Sequence, residues 1–91
     1  MYELAWAKAM LGDIDSARRL VNRSMSIDPD DPYVHYYDAL VSVKEGQYDR
    51  AIAALQKSVA GGNPAIMLAN EPHLSTLRDV PEFIQLISPS D

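Results

Sequence analysis

Cysteine does not occur in this sequence. Its absence excludes a disulfide framework, a thiolate metal site and a cysteine nucleophile, and it fits a reducing compartment. Long apolar runs are missing too. The longest cover only a few residues, well short of the ~20 needed to span a bilayer, and no basic segment followed by an apolar one opens the chain. The expected location is therefore the cytoplasm, with no membrane contact. Positive charge is scarce: eight basic residues against thirteen acidic ones leave a formal net charge of −5. Such a surface repels a phosphate backbone, so nucleic acid is not an expected partner.

Reactive groups are equally sparse. The two histidines, His35 and His73, have no partner at a spacing that would build a metal face or a base and nucleophile pair within one helix. His35 is expected to be a partly exposed helix residue and His73 a turn residue. The run Gly61-Gly62-Asn63-Pro64 lacks the Lys-Ser/Thr of a phosphate-binding loop. Asp28, Asp30 and Asp31 invite a calcium reading, but a loop starting at Asp28 would need glycine at its sixth residue and glutamate at its twelfth. Tyr33 and Ala39 stand there instead. No catalytic residue, cofactor or metal is expected, and the chain is not expected to be an enzyme.

What the chain does contain is a repeat. Apolar residues at 47% and charged residues at 23% are ordinary for a globular protein, and 91 residues make one small domain. The stretch LGDIDSARRLVNRSM returns as EGQYDRAIAALQKSV: Gly46 less Gly12 is 34, and the pairs Ala17 and Ala51, Ser24 and Ser58, Met25 and Val59 keep the same interval. A period of that length means stacked helical hairpins.

The helices can be placed from spacing. Residues 1–11 are strong helix formers without an N-cap, and the register puts three residues of the first repeat ahead of Met1, so a piece of a longer protein is expected; a natural short start is the alternative. Ile14, Ala17, Leu20, Val21 and Met25 form an apolar stripe behind Asp13 as N-cap. Asp15 precedes Arg18 and Arg19 by three and four residues, so these arginines are expected on a solvated face. The sharper alternative is an anion-docking strip of Arg18, Arg19 and Arg23.

Asp31 should cap, and Pro32 open, a third helix carrying Tyr33, Tyr36, Tyr37, Leu40 and Val41 to Glu45. Gly46 breaks it, and Tyr48, Ala51, Ile52, Leu55 and Val59 mark a fourth. Gly12 and Gly46 permit tight reversals, while Ala17 and Ala51 let paired helices approach closely. Beyond Ala60, Asn63 is expected to cap a short helix begun by Pro64 and ending near Ala69. Glu71-Pro72 opens a compact turn bearing Leu74 and Leu77, and Asp79 should cap a last helix with Val80, Phe83, Ile84 and Ile87. Residues 88–91 are a polar end expected to fray.

With Gly12, Ala17, Ser24 and Pro29, then Gly46, Ala51 and Ser58, the chain resembles the tetratricopeptide (TPR) repeat family. The resemblance implies an all-α fold of antiparallel hairpins, helices A and B, stacked into a right-handed superhelix whose concave groove is lined by A helices. Residues 1–31 would form a first repeat, 32–63 a second, and 64–87 a degenerate third repeat or cap, which a short array needs to cover its last face. Ile66, Leu77, Phe83 and Ile84 are expected to cover it. The tail EPHLSTLRDVPEF resembles the ends of TPR arrays in bacterial multidomain proteins. Asp38 and Ser42 depart from the family pattern, standing where a Leu-like and a Tyr-like residue are usual, and Asn63-Pro64 replaces the closing proline.

If that geometry holds, the groove presents Tyr2, Trp6 and Met10 from the first repeat and Tyr33, Tyr36, Val43 and Lys44 from the second, with Leu40 between them. Such a surface suits an extended peptide or an amphipathic helix. The expected function is a non-catalytic protein-interaction scaffold. Alternatives are a homodimer formed through Tyr2, Trp6 and Met10, or a regulatory domain of a fused enzyme or transcription factor. The Lys, Asn and Arg clamp by which some TPR proteins hold chaperone tails is not matched at these positions.

Overall fold

A computed structural model describes residues 2–88, with side chains from residue 6 onward. Helices α1 (Tyr2–Met10), α2 (Ile14–Ile27), α3 (Pro32–Lys44) and α4 (Tyr48–Ala60) are followed by a short α5 (Ala65–Ala69), a 3-10 helix (Pro72–Leu77) and α6 (Pro81–Ile87). Among the described residues there is no strand. Packing is sequential: α1 lies on α2, α2 on α3 and α3 on α4, and α1 also meets α3. No helix among these residues is long and apolar enough to cross a membrane.

Local chemistry sets the boundaries. Asp13 accepts a hydrogen bond from the Ser16 amide at 3.3 Å and Asp31 one from the Tyr33 amide at 2.9 Å, so both expected caps are in place. The reversal after α3 needs its glycine: Gly46 has φ 76°, a left-handed conformation that a Cβ disfavours. There the Gly46 amide donates to the Val43 carbonyl at 3.0 Å and the Gln47 amide to the Ser42 carbonyl at 2.9 Å, closing the helix end. Gly12 repeats the arrangement one register earlier, with φ 89°.

Ala17 and Ala51 are fully buried, in α2 against α1 and α3 and in α4 within the main core. Ala17 belongs to a small cluster with Ala9, Val21 and Val41, and Ala51 to a larger one with Tyr36, Leu40, Leu55, Leu68, Leu74, Leu77 and Phe83. The C-terminal third therefore contributes to the main core, although its details differ from the sequence expectation. Ile66 and Ile84 are 64% and 45% exposed, and Leu68 and Leu74 take the inward places. Helix α5 has five residues and α6 seven, too short for spacing alone to identify the inward side.

Two expected caps are also corrected. Pro64, in extended conformation, is the N-cap residue of α5, and Asn63 is buried with its amide donating to Ser58 Oγ at 2.7 Å. A buried hydroxyl needs a partner, and Asn63 supplies it. Val80, not Asp79, precedes α6, whose first residue is Pro81. His35 is buried rather than partly exposed: its Nε2–H donates to the Pro29 carbonyl at 2.7 Å, which folds the linker over it, and Nδ1 has no partner among the described residues.

Candidate functional site

The contact between α2 and α3 carries a polar cluster, and Arg18 is its centre. Rather than lying on a solvated face of α2, this side chain reaches across to α3. Its Nη1 pairs with Asp38 Oδ1, its Nη2 pairs with Glu45 and donates to Ser42 Oγ at 3.0 Å, and its Nε donates to Glu45 Oε1 at 3.2 Å. Arg50 on α4 stands 3.5 Å from the same Asp38 oxygen. Arg18 and Asp38 are only 14% and 8% exposed. Burial alone would lower the Arg18 pKa, but its bonds to Glu45 and Asp38 outweigh that and raise it, so the charge is retained.

The two departures from the repeat pattern thereby acquire a reason. Asp38 and Ser42 stand one helical turn apart and both engage the guanidinium, so a charged cluster lies beside the apolar contact of Ala17, Val21 and Val41. Arg18 is therefore removed from any anion-docking strip.

The residues expected in a groove separate into two groups. Trp6 is half-buried and packs against both core clusters. The His73 ring meets it edge-on at 4.9 Å, and Lys44 Nζ lies 5.9 Å from its centroid, at the outer limit of a cation–π contact. Tyr36 is buried, and its hydroxyl donates to Glu71 Oε2 at 2.7 Å. Val43 is half-buried against the same cluster. Trp6, Tyr36, Val43 and Lys44 thus lie around one body of side chains shared by α1, α3 and the 3-10 helix. Met10 and Tyr33 are about half exposed, at the end of α1 and the start of α3, outside the buried cluster. The side chain of Tyr2 lies outside the described residues.

Sequence reasoning missed Glu71 and His73 as parts of this surface. Glu71 caps the 3-10 helix through the His73 amide, a local signal visible in Glu71-Pro72, yet its bond to Tyr36 spans 35 positions. With that pairing the 3-10 helix packs against α3, so part of the face of α3 is covered by the chain itself.

Burial, and secondarily the bond to Glu71, raise the Tyr36 phenol above its usual range. The folded state therefore holds this proton longer than the unfolded chain, whose phenol ionises near pH ~10. This stabilisation is complete below pH ~10 and is lost as the pH climbs above it. Thermal melts at pH 9 and 11 should show a larger loss for the wild type than for Tyr36→Phe; equal losses would mean that the phenol is not held protonated by the fold.

No group of three His, Cys, Asp or Glu side chains able to hold a metal ion occurs among the described residues. One open cavity of about 490 Å³ is lined by Met25, Pro29, Asp30, His35 and Lys57, but the His35 Nε2 is engaged by Pro29. In comparisons with known proteins, no family model, no curated protein and no solved structure matches the chain.

Proposed function

We propose that this domain is a non-catalytic, TPR-type scaffold that takes up a peptide or helix of another protein along the side of α1 and α3, within a right-handed stack of antiparallel hairpins. The observation that supports this reading best is Trp6. It remains partly open between Lys44 and His73, a flat aromatic face with cationic or polar groups at its rim, and such side chains dominate binding energy at protein interfaces. The 34-residue register and the sequential helix packing supply the scaffold. Its proposed setting is the cytoplasm, without cofactor, metal, nucleic acid or membrane.

A peptide selected on this domain from a display library provides the test. Trp6→Ala should weaken its binding by about 2 kcal/mol or more, roughly 30-fold, with helicity retained. Unchanged affinity moves the site elsewhere.

A second reading has its own observation. Met10 and Leu11, at the end of α1, are exposed apolar residues, which suits pairing of two copies across the first hairpin. Light scattering over a concentration range separates the two: a strict monomer removes the dimer.

A further inference from the structure

The seam built by Arg18 has a counterpart on the other side of the first hairpin. In the 34-residue register Ser42 corresponds to Lys8 and Arg50 to Ser16. Ser42 accepts from Arg18 of the incoming helix α2, and Arg50 abuts the carboxylate that Arg18 grips. Lys8 and Ser16 therefore mark the face by which the first hairpin would receive a helix in the way the second receives α2. They do share a cavity there. It measures about 440 Å³ and is lined by Lys8, Ser16, Arg19, Leu20 and Arg23.

The charge of this face is the reverse of the internal seam. Between the hairpins the receiving side offers the carboxylates of Asp38 and Glu45 and the incoming helix brings the cation. At this face the described cavity lining offers three cations, Lys8, Arg19 and Arg23, with the Asp13 carboxylate at its edge near Lys8 and Arg19. Arg19 is steadied by donating from Nη2 to Ser16 Oγ at 3.1 Å, and Leu20 adds a half-buried apolar floor. Arg19 and Arg23 are one helical turn apart, a spacing that carboxylates four residues apart on a second helix would match. From this complementarity we infer that the outer face of α1 and α2 docks an acidic amphipathic helix of another protein, with two carboxylates one turn apart flanking an apolar side chain.

Self-association is disfavoured on this face, because among the described residues no helix contains more than one acidic residue. A nucleic acid would have to approach a chain of net charge −5. The face is separate from the Trp6 and Lys44 surface, so it stands whatever binds there.

The probe is a synthetic alanine-rich helix carrying two glutamates four residues apart around a leucine, titrated into isotopically labelled protein and followed by amide chemical shifts. The expected result is salt-sensitive shifts at Lys8, Ser16, Arg19, Leu20 and Arg23. Arg23→Ala, and separately Lys8→Glu with Arg23→Glu, should weaken the affinity, the double reversal by at least about tenfold, with melting unchanged. Should the double reversal not fold, the single variant carries the test. The proposal is overturned by an absence of shifts at millimolar peptide, by equal binding of the same peptide broken with a central proline or carrying lysines for glutamates, or by an oligonucleotide that binds these residues more tightly.

Discussion

Arg18→Leu is expected to lose about 3 to 5 kcal/mol of stability, a large share of the roughly 5 to 15 kcal/mol available to a domain of this size. The reason is what the substitution leaves behind. Asp38 is 8% exposed and would keep its carboxylate in the seam with a long hydrogen bond from the Ser42 hydroxyl, at 3.4 Å, and Arg50, at 3.5 Å and near the surface, as the remaining described groups to offset it. Ser42 would lose its charged donor as well. Urea unfolding measures the effect.

The double variant Arg18→Leu with Asp38→Leu should recover most of the loss, because removing both members of a buried pair replaces a desolvated charge with apolar contact. Recovery in the double variant distinguishes charge pairing from simple packing. A single variant that loses less than about 1 kcal/mol would place the guanidinium in solvent, as exposed pairs contribute that little.

Phe83→Ala is the second large effect, at about 3 to 5 kcal/mol. Phe83 is 2% exposed in the core cluster that joins α4, α6 and the 3-10 helix, and truncation leaves a cavity flanked by Leu68, Leu74 and Leu77. At about 4 to 8 °C per kcal/mol for a domain of this size, the melting temperature should fall by more than 10 °C. Ile84→Ala, one residue along the same helix, should change stability by about 1 kcal/mol or less because its side chain is half in water. Equal losses at the two positions would mean that α6 is turned differently on the core.

This contrast shows how far the amino-acid pattern carries. Phe83 and Ile84 both belong to an apolar spacing that suits a lid, and nothing in a seven-residue helix says which points inward. In α2 the stripe is longer, and the buried places of Ala17 and Val21 were legible in it. Arg18 sits on the polar arc of that same helix, where a solvated role is the ordinary reading. Its partners lie 20 to 27 positions away, so no local rule names them. The only prior sign was the pair of departures, Asp38 and Ser42, on a helix otherwise rich in apolar residues.

The candidate surface divides in the same way. Trp6, Tyr36, Val43 and Lys44 were legible as residues of α1 and α3 through the register. That Glu71 and His73 close over them was not, because it depends on the path taken by the chain after Gly62. What the sequence determined alone is whatever depends on near neighbours: the 34-residue register, the reversals at Gly12 and Gly46, the aspartate caps at 13 and 31, and the small residues at the seams. These follow from backbone sterics and from hydrogen bonds within a turn. Tertiary structure alone decided the partners of Arg18 and Tyr36 and the inward face of the short C-terminal helices, because the rotation of one helix against another determines which distant groups share a buried, low-dielectric space and must satisfy each other there.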